Sequence, residues 1–385
     1  MARPRVALFL AVLLILTNVA DGAASGGAAS SEPPRLAAAL PEGRWKQVES
    51  SVDRALAWLA SQQAADGSFQ TAPAGQPAVT SLCIMAFLSR GHQPGYGPYG
   101  AQIDKAIDFV ISCQMPDGLF SYLPPEAMHI DKRPSHTAVY NHAIAGLMLG
   151  EVYGHVTGQR MRDAKTAITR ALQFTRDLQT RPKAAYDKGG WRYLRIYSAR
   201  NDSDLSVTAW QLMFLRSARN AEFDVPQRFI DDAMGFVHRC WNPAESMFDY
   251  EIGPDGGAGR ATRGVTGAGI VSLSLAGEHQ TAMAQMAGNW LLAHPFRGVG
   301  ETYGTTDRSF YSMYYCSQAA LQLGGRYWQG IFPPIVNTLL SSQNPDGSWQ
   351  PEFSENDAMF GSCYSTALAV LALTPPYQLL PVYQR

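Results

Sequence analysis

A sequence motif that is repeated along the chain constrains the fold more than any other feature. Each copy has an amphipathic run, a glutamine, a glycine-containing turn with an aromatic residue, and then an apolar run led by Thr or Ser. The clearest copies are 58–69 (WLASQQAADGSF), 109–120 (FVISCQMPDGLF) and 339–349 (LLSSQNPDGSW). Repeats spaced by tens of residues indicate units that bury their apolar faces against their neighbours. We therefore expect the folded part of the chain to form one domain.

Each repeat divides into two predicted helices of different character. The first is apolar on one side only, as at Val52, Leu56 and Leu59, which is typical of an outer helix. The second is apolar almost all round, as in 79–88 (VTSLCIMAFL) and 265–275 (VTGAGIVSLSL). A helix that is apolar on every side is buried on every side. The sequence thus predicts an outer layer and an inner layer of helices.

Counting these pairs predicts the fold class. Six outer runs begin near Val52, Ile103, Ala167, Phe229, Met283 and Ile335, and six inner runs begin near Val79, His136, Ser206, Thr262, Phe310 and Ser365. We expect an all-α protein, an α/α toroid of about six helix-hairpin repeats, because an open stack leaves apolar faces bare at its ends. The alternative is an open solenoid.

The N-terminal segment has the pattern of an export signal. Arg3 and Arg5 precede an apolar stretch at 6–16, and small residues follow it. This pattern predicts a signal peptide at 1–24, a flexible linker at 25–41 rich in Ala, Ser and Gly, and a single toroid domain at 42–385. The expected location is secreted or periplasmic, with no membrane span after cleavage. An uncleaved signal that anchors the domain is the alternative.

Composition limits the class of partner. The 385 residues have a formal net charge of -1 and are 46% hydrophobic, which suits a large globular core and argues against a nucleic-acid partner. Three of the five cysteines (Cys83, Cys316 and Cys363) lie in apolar helical runs and are interpreted as buried thiols.

The repeat resembles that of a known family. The turns at 63–69 and 343–349, together with 189–193 (GGWRY), look like the repeat shared by squalene and oxidosqualene cyclases and the β subunits of protein prenyltransferases. The resemblance extends from about Val52 to Leu373. It implies the toroid fold and leaves the chemistry open, since one scaffold hosts many functions. The turns themselves we interpret as structural braces, with the glutamine bonding neighbouring helix ends.

Candidate functional residues lie where the inner helices begin, because their positive dipole ends would converge on one mouth of the ring. As catalytic candidates the sequence offers Asp204, Asp202 and His142. The candidate substrate-binding residues are Tyr140, Asn141, Trp210, Asp307, Tyr311, Tyr314, Tyr315 and Tyr364. The expectation for an enzyme is that Asp204 and His142 approach one another in this pocket.

The motif 202–205 (DSDL) is similar to the Asp-x-Asp-Asp acid motif of squalene-hopene-type cyclases, in which the central acid protonates an alkene or epoxide. The resemblance implies cation stabilisation by aromatic faces in the pocket. Leu205 replaces the second acid of the pair, and the chain is about half the size of a full triterpene cyclase. The alternative is that the two acidic residues cap the N-terminus of the following helix and interact favourably with the positive end of its dipole.

Zinc chemistry of the prenyltransferase kind is not expected. Its ligands would be Asp307, a cysteine and either His136 or His142, but the Asp-x-Cys pairing of that family is missing. No cofactor or metal is therefore predicted.

Two further functions remain open at the level of sequence. Polysaccharide lyases and hydrolases also use α/α toroids, and they need a Tyr or His base near an Arg or Ca²⁺, or a carboxylate pair. Candidates for such a set are His142, Tyr140, Tyr311, Tyr314, Arg308, Asp204 and Asp307. A binding or scaffold module needs only shape and an apolar lining. The first expectation is an exported toroid with an aromatic central pocket that binds or transforms an apolar isoprenoid, and a carbohydrate ligand is the alternative.

Overall fold

The computed structural model describes residues 36–125, 134–194, 202–254, 256–257, 261–301, 307–352 and 355–384. In these ranges outer and inner helices alternate along the chain. The outer helices are α1 (Glu42–Ser61), α3 (Gly100–Ser112), α5 (Gly158–Gln179), α7 (Gln227–Arg239), α9 (Ala282–Ala293) and α11 (Gly325–Ser342). The inner helices are α2 (Ala78–Ser89), α4 (Pro134–Val152), α6 (Leu205–Asn220), α8 (Arg263–Leu275), α10 (Ser309–Leu323) and α12 (Glu355–Leu373), the last broken at Gly361.

The inner helices form a closed ring. Each packs against the inner helix before it and the one after it, and α12 packs against α2. This confirms the prediction of an α/α toroid with six inner and six outer helices within the described residues. The open solenoid is excluded because the sixth repeat packs directly on the first.

Small residues allow the inner helices to approach closely. A Cβ atom at Gly267 of α8 would lie 3.0 Å from the backbone nitrogen of Cys316 on α10, and one at Gly146 of α4 would lie 2.7 Å from the ring of Phe214 on α6. Contacts this short leave no room for a side chain. The small residues of the all-apolar runs are therefore needed for packing between neighbouring inner helices.

Glutamine side chains join neighbouring repeats, as the interpretation of the turns as braces predicts. Each of four glutamines donates from Nε2 to the glycine carbonyl of its own turn and to a carbonyl of the next outer helix. The pairs with the next helix are Gln63 to Gln102, Gln114 to Ala167, Gln179 to Phe229 and Gln343 to Ser51, at 2.8–2.9 Å. Because Gln343 lies at the end of α11 and Ser51 on α1, the last of these bonds closes the ring.

A second set of bonds joins each turn to the inner helix that follows it. The backbone N–H of the turn aromatic donates to a threonine hydroxyl at Phe69 to Thr80, Trp191 to Thr208, Phe248 to Thr266 and Trp349 to Thr366, at 3.0–3.4 Å. In the second repeat Phe120 donates to His142 Nδ1 instead, at 3.2 Å. We call these glutamines, threonines and His142 the brace layer.

Short irregular segments complete the domain. Two hairpins connect α7 to α8: β1 (Trp241–Asn242) with β2 (Met247–Phe248), and β3 (Ile252–Gly253) with β4 (Gly256–Gly257). All five cysteines are buried free thiols. Among the described helices, none has both the length and the hydropathy to span a membrane.

The predicted N-terminal segments lie largely outside the described residues. Residues 1–35, which include the expected signal peptide and most of the expected linker, are not described. The rest of that linker is packed: Leu36–Ala39 is a 3-10 helix, Trp328 Nε1 donates to the Leu36 carbonyl at 3.0 Å, and Leu40 is buried. Residues 36–40, which the sequence assigns to the linker, are thus in contact with the helical domain.

Closure of the ring predicts that the C-terminal segment 379–383 lies against the first repeat, and the structure shows a longer path. Thr374 Oγ1 donates to Ser89 Oγ at 2.9 Å, so the segment reaches the first repeat as expected. It then continues across the ring, where the Val382 N–H donates to Glu151 at 3.2 Å on α4 and the Tyr383 hydroxyl bonds that of Tyr314 on α10. The segment therefore also reaches the second and fifth repeats, which the sequence does not predict.

Candidate functional site

Five half-buried tyrosines surround the end of the ring at which the inner helices begin, which we call the mouth. They are Tyr140 on α4, Tyr193 before α6, Tyr250 between β2 and β3, Tyr311 on α10 and Tyr364 on α12. The sequence predicts Tyr140, Tyr311 and Tyr364 as ligand-binding residues, whereas Tyr193 and Tyr250 are additions from the structure. An aromatic ring with a polar tip suits a surface that is partly packed and partly wet.

Backbone bonds hold the two added tyrosines at the mouth. Leu194 N–H donates to the Ser135 carbonyl at 3.1 Å, which ties the Tyr193 segment to the start of α4. Leu205 N–H donates to the Tyr250 carbonyl at 2.8 Å, which ties the β2–β3 segment to the start of α6. The sequence signal for Tyr193 is present in GGWRY, but that pattern indicates a turn and not the mouth.

Hydroxyl groups link the tyrosines across the mouth. Tyr140 donates to Ser206 Oγ at 3.0 Å, and Ser206 Oγ and the Tyr311 hydroxyl share a hydrogen bond of 2.7 Å. The hydroxyls of Tyr193 and Tyr250 lie 2.6 Å apart. This arrangement connects α4, α6 and α10 through side chains that can also donate to and accept from a ligand.

The tyrosines are neutral phenols near pH 7. Burial raises the pKa of Tyr140, Tyr193, Tyr250 and Tyr311 above the ordinary value, because a phenolate would be poorly solvated there. A tyrosine that abstracts a proton needs the opposite shift. The site therefore favours hydrogen bonding and stacking by these side chains over catalysis by a tyrosine base.

Asp204 is the N-cap of α6, as the alternative interpretation of the acidic motif predicts. Its Oδ1 accepts from the Val207 N–H at 2.8 Å. Its Oδ2 has no hydrogen-bond partner among the described residues and lies 3.9 Å from Arg192 Nε. Burial raises the pKa of Asp204 to about 6, while Arg192, the Val207 amide and the nearby Tyr250 hydroxyl act in the opposite direction. The carboxyl group is thus mostly ionised at pH 7 and incompletely satisfied.

Arg192 organises this side of the mouth. Its guanidinium forms an ion pair with Glu251 and lies over the rings of Tyr193 and Tyr250, at 5.3 and 5.5 Å from the ring centroids. Cation–π contacts of this kind fix a planar cation between aromatic faces. Arg192, like Tyr193, belongs to the GGWRY pattern, which indicates a turn and not a role at the mouth.

Two further carboxyl groups, those of Glu352 and Asp357, lie near the starts of α10 and α12. Glu352 Oε2 accepts from the Ser309 N–H at 2.8 Å, and Asp357 Oδ1 pairs with Arg308 Nη1 at 3.1 Å. Burial raises the pKa of Glu352 to about 7, against the hydrogen bonds from Ser309, and the charge of Asp357 adds to the rise. Glu352 can therefore hold a proton near neutral pH, which no sequence pattern indicates.

His142 does not line the mouth. Its ring is fully buried among aromatic side chains, Nδ1 accepts from the Phe120 N–H, and Nε2 lies 2.9 Å from Thr175 Oγ1 on α5. Burial lowers the pKa of His142 to about 3, so the imidazole is neutral. These contacts direct His142 to the outer layer, whereas Asp204 pairs with α6 and Arg192. His142 takes in the second repeat the place that threonine takes elsewhere in the brace layer.

Three other predicted residues make structural contacts. Asn141 bonds the Ala74 carbonyl at 2.9 Å, next to the start of α2. Asp307 is buried and pairs with Arg263 Nε at 2.6 Å. Asp202 is exposed, and its N–H donates to Asp187 at 2.8 Å. These contacts hold loops and helix ends in place and do not involve the tyrosines of the mouth.

The predicted aromatic pocket is largely filled below the mouth. Trp210 and Tyr314 stack at 5.4 Å, Tyr315 meets Trp210 edge-on at 5.5 Å, and all three are at most 2% exposed. The Tyr383 hydroxyl reaches Tyr314 from the opposite end. These residues, predicted to bind substrate, form instead a packed aromatic column in the ring.

The described residues contain no group of three or more His, Cys, Asp or Glu side chains placed to hold a metal ion. Three carboxyl groups at the mouth (Asp204, Glu251 and Asp357) are paired with arginines, which supply positive charge locally.

The chain matches no protein-family model, and no curated protein matches its sequence. Solved structures with the same fold include type II terpene cyclase MstE from Scytonema, with a TM-score of 0.52 and 15% identity over 87% of this chain and 99% of that one. A family 76 glycoside hydrolase from a bovine Bacteroides thetaiotaomicron strain has a TM-score of 0.60 and 10% identity, over 86% of this chain and 78% of that one.

A structure described as a glycosidase is also similar, with a TM-score of 0.55 and 12% identity over 89% of this chain and all of that one. At identities this low, similarity establishes the fold and leaves the activity open. The ring of inner helices, the outer layer and these comparisons together identify the chain as an α/α toroid, the fold of the terpene cyclase and the glycoside hydrolases.

Proposed function

We propose that the protein is a carbohydrate-active enzyme that binds a glycan at the mouth and hydrolyses it with the carboxyl groups found there. The supporting observation is the polarity of the mouth: half-buried tyrosines joined by hydroxyl bonds, with arginines and carboxyl groups between them. Sugars offer hydroxyls to such donors and acceptors, and apolar faces to aromatic rings. The packed aromatic column below leaves an isoprenoid less apolar surface to bind.

Glu352 and Asp204 are the proposed catalytic pair. Glycoside hydrolysis commonly requires one protonated and one ionised carboxyl group. With a pKa of about 7 for Glu352 and about 6 for Asp204, the first is mainly protonated and the second mainly ionised between those values. Glu352 would protonate the leaving oxygen, and Asp204 would stabilise the positive charge that develops on the sugar or activate water.

The charge at the mouth favours a neutral glycan. Four carboxyl groups (Asp204, Glu251, Glu352 and Asp357) face two guanidinium groups (Arg192 and Arg308) in this part of the described structure. Each arginine already has a carboxylate partner, so a uronate would compete with those partners and meet their repulsion. We therefore propose a neutral polysaccharide as substrate, and we choose α-mannan as the first one to test because the chain shares its fold with a family 76 α-mannanase.

The test is release of reducing ends from α-mannan and a panel of neutral and uronic polysaccharides. The expected result is turnover of a neutral glycan, with Glu352→Gln lowering kcat by about 100-fold or more. Glu245→Gln, an exposed glutamate in the β1–β2 turn, is the matched control and should leave kcat unchanged. Binding of a glycan without turnover would favour the non-catalytic binding module. Neither binding nor turnover across the panel would reject the proposal.

A terpenoid reaction is the second candidate, because one observation favours it. Asp204 keeps a buried Oδ2 without a hydrogen-bond partner among the described residues, and tyrosine rings lie nearby. Against this, Arg192 at 3.9 Å favours the ionised form of the carboxyl group, whereas an alkene must be protonated by the acid form. Incubation with geranylgeranyl dihydroxybenzoate, the substrate present in a structure of the cyclase MstE, tests whether this protein catalyses a terpenoid reaction. Detection of cyclised products by mass spectrometry would favour the terpenoid reaction and reject the glycan proposal.

A further inference from the structure

A cavity lies at the end of the ring opposite the mouth. It occupies about 520 Å³ between the last turns of α6, the end of α8 and the face of α7, and the C-terminal segment forms part of its wall. Volumes of this size are typical of small-molecule sites. None of the tyrosines, arginines or carboxyl groups described at the mouth lines it.

One wall of the cavity is apolar. Leu212 from α6, Met234 from α7, Val271 from α8 and Val382 from the C-terminal segment all contribute to it. These four side chains come from four separate elements, so the apolar lining of the cavity does not belong to one helix. A hydrocarbon body placed there would be removed from water, with a gain proportional to the area buried.

Two arginines one turn apart on α6 line the same cavity. Arg216 Nε is buried without a hydrogen-bond partner among the described residues, and its Nη1 makes only one bond, of 3.3 Å, to the Leu275 carbonyl. Arg219 Nη1 donates to Gln227 at 2.5 Å. Neither guanidinium has a carboxylate within ion-pair distance in the part of the chain that the structure describes.

The acidic residues of the cavity are already engaged. Asp231 accepts from Gln227 Nε2 at 2.8 Å, and Glu278 pairs with His238 at 2.7 Å. His279 also lines the cavity, and the ends of α6 and α8 add partial negative charge there. The free hydrogen-bonding capacity of the cavity is therefore mainly that of Arg216, an always-charged planar donor suited to a carboxylate.

We propose that this cavity binds an amphipathic monocarboxylate, with its carboxylate on Arg216 and its hydrocarbon chain on the apolar wall. The inference is independent of the function proposed for the mouth. It follows from the combination of a cavity of ligand size, apolar side chains in its lining and a guanidinium without a carboxylate partner in one place. Binding would satisfy the buried Nε donor and place the hydrocarbon chain against the apolar lining.

The experiment is calorimetric titration of the full chain with sodium decanoate below its micellar concentration. We expect saturable binding of one decanoate per chain, and affinity for decan-1-ol about tenfold lower, because the alcohol lacks the charge-assisted bonds. Arg216→Gln should weaken decanoate binding by about tenfold or more. The control is Arg162→Gln, an exposed arginine of α5 that bonds Gln159, and it should bind decanoate like the unaltered protein.

The alcohol comparison needs no variant, so it stays informative if Arg216→Gln does not fold by circular dichroism. Equal affinity for decanoate and decan-1-ol would overturn the proposal, as would unchanged decanoate binding in a folded Arg216→Gln protein. Absence of saturable decanoate binding would overturn it as well.

Discussion

The brace layer and the mouth both contain buried or half-buried polar side chains, but these side chains face different surroundings. In the brace layer the polar side chains bond neighbouring repeats: Gln343 donates to two carbonyls, and His142 uses both ring nitrogens, although Gln179 Oε1 has no hydrogen-bond partner among the described residues. At the mouth Asp204 keeps an unsatisfied oxygen, and the tyrosines are half-buried. Groups at the mouth therefore combine unused hydrogen-bonding capacity with a place at the end of the ring, whereas the brace groups are directed to neighbouring repeats.

The largest expected effect lies at the mouth. Asp204→Asn removes the negative charge but keeps an efficient N-cap for α6, so the fold should persist while kcat on the glycan substrate falls by about 10² to 10⁴. Steady-state kinetics measure the change. The matched control is Asp187→Asn, a buried aspartate whose Oδ2 accepts from the Asp202 N–H and which has no described hydrogen bond to a tyrosine of the mouth. An equal loss in both variants would mean that the mouth is structural like the brace layer.

His142 tests the comparison from the other side. His142→Ala leaves the Phe120 N–H and Thr175 without this partner and opens a cavity, so we expect a loss of about 3 kcal/mol in the free energy of unfolding. His142→Thr introduces the residue that four other repeats use, and it should lose less. Urea denaturation measures both. A His142→Thr protein that folds but has no turnover would assign His142 to catalysis, and the distinction between the brace layer and the mouth would then fail.

Glu151, at the end of the ring opposite the mouth, is expected to make the stability of the fold depend on pH. Burial raises the pKa of Glu151 to about 7, against hydrogen bonds from Ser217 and Val382. Because the folded state holds this proton more tightly than the unfolded state, stability falls as the pH rises from about 4.5 to 7. Glu151→Gln should therefore stabilise the protein by about 2 kcal/mol at pH 8 and by little at pH 4.5.

Thermal denaturation at both pH values, with the exposed Glu245→Gln as control, measures this effect. A Glu151→Gln protein that is destabilised at pH 8 would show that the ionised carboxylate is the form the fold requires.

The smallest expected effect compares two positions within the brace layer. Gln343→Ala removes the bond from the sixth repeat to Ser51 of the first, and Gln114→Ala removes the equivalent bond to Ala167. We expect each to lower the free energy of unfolding by about 1–2 kcal/mol, because buried carbonyls lose a partner. Urea denaturation measures both. A much larger loss for Gln343→Ala would show that ring closure is a weaker joint than the others.

The fold was predictable because it repeats. Two kinds of apolar periodicity and one turn motif recur along the chain and predict pairs of helices. Closure into a ring is predicted because an open stack would leave the apolar faces of its end repeats exposed to water. The brace role of the glutamines follows from the same motif. The path of the C-terminal segment did not follow, since residues 379–384 occur once and contact α4, α6 and α10, which no local pattern indicates.

The site was predictable only where it lies on helices. Tyr140 and Tyr311 were found because they lie near the start of inner helices. Their neighbour His142 was misplaced, although two residues on a helix differ by about 200° in direction, so that Tyr140 and His142 cannot face the same way. Its equivalence to the brace threonines was hidden because the spacing from turn to brace residue varies, being 11 residues for Phe69 to Thr80 and 22 for Phe120 to His142.

Arg192, Glu352 and Asp357 were missed for a different reason. Arg192 and Glu352 lie in segments without periodicity, and Asp357 lies in the turn of α12 that precedes its break at Gly361. Their importance comes from which helices the ring brings together. A sequence read in order does not show that arrangement.

The bond between Gln343 and Ser51 joins residues 292 positions apart, and Thr374 and Ser89 are separated by 285. During folding, loop closure over such a length costs conformational entropy before any contact across the joint is gained. The outward apolar face of the first repeat is therefore exposed until the sixth repeat has formed. We expect the folding of this ring to end with that joint, and a chain interrupted before it to be the species most prone to aggregate.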